Sequence, residues 1–248
     1  MRKTKDSRIL NEIDHGKMLA HHDPEAIWGW GTPAGEERAV RRARIIAESA
    51  RLGPRIDALE IGCGTGLFTE IFATTGARIL ALDLSPELLD IAWKRNLPQE
   101  RVRFMQKPFE DCNEDRPFDA VIGSSILHHL DLDAALPKIY RLLKPGGVMS
   151  FAEPNMLNPQ ILLQKNIPWL KEYLGDSPDE TAFVRWHTKR LIRNYGFIDV
   201  QVTPFDWVHP ATPDRLIRFV TYLGNLFEKI PLIKELAGSL HITCKRPI

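Results

Sequence analysis

The sequence predicts an α/β chain, with seven strands in a mostly parallel sheet, the last strand antiparallel, and helices on both faces. Three observations carry that reading. Short apolar runs alternate with helical stripes through the middle of the chain. Each run is bounded by glycine, proline or a capping residue. Near the end, two strand-like runs occur with no helical pattern after the second, which places that strand antiparallel beside the sixth. At 248 residues, 44% hydrophobic and 26% charged, the chain is long enough to bury one large core.

Residues 1–27 are polar and weakly periodic. Thr32 reads as an N-cap and Pro33 as the first helical position. Ala39, Ala43, Ile46, Ala47 and Ala50 form one stripe, so a helix is expected to about Leu52. Its other face carries Arg38, Arg41, Arg42 and Arg44, a charge run read as a solvated face, with phosphate contact as the alternative. Ile56, Ala58, Leu59 and Ile61 suit a buried parallel strand that stops at Gly62-Cys63-Gly64-Thr65-Gly66. A helix follows through Leu67, Ile71 and Phe72. The second strand, Ile79–Leu82, ends at Asp83, and Ser85-Pro86-Glu87 opens the next helix by the same cap logic. Val102–Met105 and Phe118–Ile122 are the third and fourth strands. A helix is expected from about Leu132 to Leu143, stopped by Lys144-Pro145-Gly146-Gly147, and Val148–Ala152 is the fifth strand. Thr188 is expected to cap a helix that stops at Gly196, before the final strands Phe197–Val202 and Ser239–Cys244.

Two stretches, 154–187 and 205–238, break the rhythm and are rich in proline and aromatics. Long connections on such a sheet are usually functional covers or interfaces. The expected organisation is therefore an N-terminal arm or lid over 1–32 and a single domain over 33–248 with cap insertions at those two stretches. In the second, Leu216, Phe219, Val220, Leu223, Leu226, Phe227 and Ile230 keep helical spacing. Such a stripe packs on the body, forms a homodimer face or opens a greasy port, and the first is expected.

Charge and cysteine content exclude several classes. Lys plus Arg number 33 against 32 Asp plus Glu, so nothing calls for nucleic acid or an acidic membrane as partner. Cys63, Cys112 and Cys244 are widely spaced with no Cys-x-x-Cys, which argues against zinc or a disulfide framework and suits a reducing cytoplasm. The opening residues show no apolar signal core, and no stretch reaches the length of a membrane span. No histidine–carboxylate cluster suggests a metal.

The chemistry sits at Gly62-x-Gly64-x-Gly66. A glycine triplet alone is weak evidence, but this one has a strand before it, a helix after it, and an acid, Asp83, ending the next strand 21 residues past Gly62. Glycine lets a ligand approach the backbone, and Asp83 is placed to accept two ribose hydroxyls. A dinucleotide wants its third glycine one residue later, so that pyrophosphate meets the helix N-terminus. Glu60, two residues before the first glycine, is badly placed for a pyrophosphate and suits a cofactor carrying a sulfonium and an ammonium.

Leu59-Glu60-Ile61-Gly62-Cys63-Gly64-Thr65-Gly66 with Asp83 resembles the first two motifs of the class I S-adenosylmethionine-dependent methyltransferases of small-molecule type. Phe118–Ile122, Leu127-His128-His129-Leu130, Leu142–Gly147 and Arg193–Phe197 are similar to the later motifs, in order. The resemblance covers roughly 55–205 and the last ten residues. It implies a Rossmann-like fold and methyl transfer from S-adenosyl-L-methionine to a small-molecule acceptor, leaving S-adenosyl-L-homocysteine. It further implies that Gly62, Cys63 and Gly64 line the methionine part with Glu60 beneath. Asp83 would hold the ribose, Leu84 would pack on adenine, and Ser124 would offer its carbonyl to the ammonium. Where many members carry an acid for the adenine amine, this chain reads Gln106-Lys107-Pro108-Phe109-Glu110-Asp111. The Phe109 backbone is expected to contact the base, with Glu110 or Asp111 as substitute acid.

His129 and Glu153 are the candidate proton-transfer residues. Against that stand a helix-start packing role for the histidine and a loop-anchor role for Glu153. Trp28, Trp30, His128 and His187 are acceptor-side candidates, the tryptophans doubling as a latch for the arm, and His209 reads as a surface residue. The acceptor is expected to be an oxygen of an apolar or amphipathic metabolite. Two other readings are a nicotinamide-dependent oxidoreductase, disfavoured by the glycine spacing and Glu60, and a non-catalytic binding subunit on the same fold.

Overall fold

The computed structural model describes residues 5–173 and 181–248, so 174–180 of the first cap and 1–4 of the arm lie outside the described residues. Seven strands form one sheet: β1 (Asp57–Ile61), β2 (Arg78–Asp83), β3 (Val102–Gln106), β4 (Phe118–Ser124), β5 (Leu143–Pro154), β6 (Ile198–Phe205) and β7 (Ser239–Lys245). Their order is β3-β2-β1-β4-β5-β7-β6. All neighbours are parallel except β7, which runs antiparallel to both β5 and β6. The order reverses between β1 and β4, and open sheets of this kind bind ligands at the carboxyl ends of the strands beside such a reversal.

The central strands are buried on both faces, as crossover helices require. In β1, Ala58 joins Phe72, Ile79, Leu89 and Ile122 in one core cluster, and Leu59 and Ile61 join Val121, Leu136, Ile139 and Phe151 in the other. Helices α3 (Pro33–Ser49), α4 (Leu67–Ala73) and α5 (Pro86–Trp93) supply the first layer, and α6 (Leu132–Leu142) and α9 (Arg185–Asn194) the second. Phe72 and Phe151 are both fully buried, one in each layer. Truncating either to alanine costs about 3–5 kcal/mol on the usual scale for core aromatics.

The expected caps are in place: Thr32 accepts from Gly35 N at 3.0 Å, and Ser85 from Leu88 N at 3.3 Å. Four expectations need correction. Thr188 does not start its helix; α9 begins at Arg185, and the Thr188 hydroxyl donates back to the Val184 carbonyl at 3.0 Å. The Lys144-Pro145-Gly146-Gly147 stop is already strand, because β5 begins at Leu143, paired with Phe118. Residues 5–20 form a helix, α1, without a strong stripe; Leu19 is buried, and Gly16 sits so close to Ser85 that an added Cβ would lie 2.7 Å from its hydroxyl. The arginine run of α3 is not a solvated face: Arg42 is only 3% exposed, and of the four arginines Arg44 is the one at the surface.

Helix α2 (Pro24–Ile27) continues the arm, and α7 (Pro159–Asn166) and α8 (Pro168–Tyr173) form the described part of the first cap. The second cap carries α10 (Asp214–Phe227). Its stripe packs on the body only in part. Gly224 meets Trp207, and Phe227 meets the same ring at 5.2 Å, while Leu216, Phe219 and Leu226 stay exposed. Among the described residues no helix is long and apolar enough to cross a membrane.

Candidate functional site

A cavity of about 400 Å³ opens at the carboxyl ends of β1, β2 and β4. The glycine loop is its floor. Gly62 and Gly64 take φ of +68° and +51°, in the left-handed region that side chains disfavour. A Cβ on Gly62 would fall 2.5 Å from Ile126, and one on Gly64 would touch the Trp28 ring at 3.4 Å. Asp83 ties the loop to β2: its carboxylate accepts from Gly64 N at 2.7 Å and Ser85 N at 2.9 Å. Cys63 N donates to the Leu82 carbonyl at 2.9 Å. Burial, with Asp83 and Glu60 nearby, pushes the Cys63 thiol well up, so it is a packing group and no nucleophile.

Glu60 lies beneath this loop, 1% exposed, and its Oε2 is buried with no hydrogen-bond partner. Burial pushes its carboxyl up to about 8; the Asp83 carboxylate adds to the rise and the Thr69 hydroxyl opposes it. A buried, unmatched carboxylate oxygen is what a cationic ligand would satisfy.

The far end of β4 makes a tight turn. Ser125 is held at φ +56°, and the short 3₁₀ turn Leu127–His129 follows. Fully buried Glu153, near the end of β5, anchors that turn by accepting from Ile126 N at 3.0 Å and Leu127 N at 2.9 Å. Its second oxygen accepts from His128 Nδ1 at 2.6 Å. Of the two roles weighed for Glu153, the loop anchor is the one these bonds form, and the same carboxylate also holds the His128 ring. The His129 ring packs against His128 with centroids 4.2 Å apart, and both histidines line the cavity.

The arm forms another wall through Leu19, Ile27, Trp28 and Trp30. Trp30 meets Phe68 edge-on at 5.5 Å. A charged clasp joins arm to loop: Thr65 Oγ1 donates to Glu25 at 2.8 Å, Arg95 pairs with both Glu25 and Glu70, and Arg95 Nε donates to the Thr65 carbonyl at 2.7 Å. From the first cap, Pro154 and α7 residues Ile161, Gln164 and Lys165 reach the cavity; from 205–238 only Gly238 does.

The structure thus brings Gly62, Cys63, Gly64, Asp83, Leu84, Phe109, Ser124, Trp28, Trp30, His128 and His129 to one cavity, with Glu60 and Glu153 just behind its wall. Glu110 lines it too. His187 is not brought there. It is exposed in the first turn of α9, beside Trp186, because that helix packs its opposite side on β6.

Sequence reasoning missed the arginine network. Arg42 Nη1 donates to Ser125 Oγ at 3.0 Å, Ser124 Oγ at 3.3 Å and the Ala152 carbonyl at 3.3 Å, and Nη2 donates to Ser239 Oγ. Burial pulls the Arg42 guanidinium down to about 10, so it stays charged at neutral pH. The signal available was the four-residue spacing of Arg38 and Arg42, which puts both on one helix face.

Comparison with known proteins agrees with this geometry. A methyltransferase-domain family model matches residues 59–151. The chain is 35% identical over 152 residues to a ubiquinone biosynthesis O-methyltransferase of Xanthomonas oryzae pv. oryzae, covering 58% of this chain and 61% of that one. It is 36% identical over 144 residues to a malonyl-[acyl-carrier protein] O-methyltransferase of Serratia marcescens, covering 57% and 54%. The match therefore spans less than two thirds of the length of these curated relatives. In fold, it is similar to the N-methyltransferase NodS from Bradyrhizobium japonicum, solved with S-adenosyl-L-homocysteine, at a TM-score of 0.63 and 16% identity over 96% of this chain and 100% of that one. Residues 59–151, which hold the glycine loop and Asp83, are thus similar in sequence to a methyltransferase domain, and the chain is similar in fold to a solved methyltransferase.

Proposed function

We propose that this protein transfers a methyl group from S-adenosyl-L-methionine to a small-molecule acceptor. The observation that carries the reading is the floor of the cavity: two left-handed glycines, Gly64 clasped by Asp83, above a buried Glu60 oxygen that lacks a partner. That site fits a ligand with a ribose and a cationic head, and the acids Glu60 and Asp83 beside the loop disfavour a pyrophosphate there. In this reading Gly62, Cys63 and Gly64 contact the amino-acid part, Glu60 supplies the counter-charge below, and Asp83 accepts the ribose hydroxyls. Leu84 and the Phe109 backbone bracket the base, Glu110 is the acid on the side of its amine, and the Ser124 carbonyl accepts from the ammonium.

S-adenosyl-L-methionine supplies an electrophilic methyl on a sulfonium. The chain has to align the acceptor, exclude water and, for a hydroxyl acceptor, take up its proton. We assign that proton to His128. Its Nδ1–H bond to Glu153 fixes the tautomer, makes Nε2 the basic nitrogen and stabilises the protonated ring. His129, stacked on it, contributes to the acceptor wall. The arm acts as a lid, clasped through Glu25, Thr65 and Arg95. Its tryptophans, with Ile126 and Ile161, favour an apolar or amphipathic acceptor whose oxygen is methylated. The relatives' printed names, two O-methyltransferases, support an oxygen. Three free, buried cysteines support a cytoplasmic setting.

Thermal-shift titration tests the reading. S-adenosyl-L-homocysteine should raise Tm and NAD should not. No response to either would favour a non-catalytic binding subunit, and a response to NAD alone would favour the oxidoreductase.

A further inference from the structure

Helix α3 brings two guanidiniums to this cavity. Arg38 and Arg42 both line it, with their guanidinium carbons 5.0 and 5.4 Å from the centre of the Trp30 ring. They share one carboxylate. Arg38 Nε donates to both oxygens of Asp206, at 3.3 and 3.1 Å, and Arg42 Nη2 stands 3.9 Å from Oδ2. The other nearby acids are already engaged. Glu228 accepts from Arg41 at 2.7 Å and from Asp206 N at 3.0 Å, and Glu153 is taken by two amides and His128. The pair thus shares one directly contacting carboxylate, while Glu153 acts on Arg42 only through space, and Arg42 is 3% exposed with its Nε buried and without a hydrogen-bond partner. Burying two guanidiniums on one contacting carboxylate is costly, and a fold that keeps them on a cavity wall has a use for them there. The positive φ of Ser125, whose hydroxyl accepts from Arg42, stores strain at the same place.

We propose that the acceptor carries a carboxylate, and that Arg38 and Arg42 hold it in this cavity. Two guanidiniums that already share the Asp206 carboxylate suit a monoanion better than a phosphate dianion. A guanidinium fork matches the two oxygens of a planar carboxylate, and the Trp30 face keeps that fork in place. Ile126, Leu130 and Ile161 on the same wall suit an apolar body. The inference rests on the methyl-transfer reading and names its substrate class.

The test is isothermal titration calorimetry on the full chain saturated with S-adenosyl-L-homocysteine, at an ionic strength fixed with chloride. The probes are acetate and benzoate, each against its neutral amide, and inorganic phosphate. Both carboxylates should bind at least tenfold more tightly than their amides, and more tightly than phosphate. Arg38→Gln should lose at least tenfold for the carboxylates while S-adenosyl-L-homocysteine affinity stays within twofold. Arg42→Lys, which keeps the buried charge and guards against a folding defect, should retain part of the selectivity. The proposal is overturned if neither carboxylate outbinds its amide, if phosphate binds most tightly, or if both variants bind like the parent. If S-adenosyl-L-homocysteine itself does not bind, the methyl-transfer reading fails, and the same titrations without it still decide the carboxylate site.

Discussion

Glu60→Gln isolates the counter-charge under the glycine loop. Burial raises this carboxyl from 4.5 to about 8, so between those values the folded chain keeps a proton that the unfolded chain releases. Unfolding free energy must then fall as pH rises across that window. At 1.36 kcal/mol per pH unit, the contribution is about 3 kcal/mol at pH 7 and about 5 kcal/mol above pH 8. Glutamine does not titrate, so the variant should gain on the parent as pH rises from 5 to 8.5, other groups cancelling in the difference. Ligand binding should show the opposite trend. A cationic head over Glu60 favours its ionised form, so S-adenosyl-L-homocysteine affinity should rise up to about tenfold per pH unit below pH 8 in the parent and stay flatter in the variant. Chemical denaturation at several pH values and calorimetry in two buffers of different ionisation enthalpy read both effects. A stability difference constant within about 1 kcal/mol from pH 5 to 8.5, or equal pH slopes of affinity, would refute the reasoning.

Asp83→Ala should weaken cofactor binding by about 1.5–3 kcal/mol, since it removes a charged ribose acceptor and the clasp on Gly64; unchanged affinity by calorimetry with an intact fold would contradict that. His128→Gln should lower kcat by about 10²–10⁴-fold on a hydroxyl acceptor, with cofactor Kd within twofold, as a lost general base does. Full activity would reassign the histidine to packing. If the arm is the proposed lid, deleting residues 1–30 should leave the core folded, reduce cofactor affinity modestly and reduce methyl transfer by a much larger factor, because a lid excludes water and orients the acceptor. A truncated protein as active as the parent would make the arm a latch only.

The sheet was legible because its signals are local. Caps at Thr32 and Ser85, apolar runs of strand length and the glycine loop each act within a few residues. Asp83 was legible for the same reason, standing at the end of β2 beside the loop it ties down. The arginines were not, because their burial is decided by Asp206, 168 positions from Arg38. A charge run reads as solvated until its partner is known. Which histidine of the pair meets Glu153 depends on one 3₁₀ turn that the sequence does not specify. Thr188 has the chemistry of a cap but bonds back inside the helix, and the two uses look alike in sequence. Helix α1 lacks a marked stripe, so packing on α5 holds it and periodicity did not reveal it.

The central claim is that the cavity over Gly62, Gly64 and Asp83 takes S-adenosyl-L-methionine. Calorimetric titration of the unmodified chain with S-adenosyl-L-homocysteine, and separately with NAD, tests it most directly. The account predicts saturable binding of S-adenosyl-L-homocysteine at one site per chain, weakened in Asp83→Ala, and no heat with NAD. Saturable NAD binding at that site, or no binding of S-adenosyl-L-homocysteine by a folded chain, would contradict it.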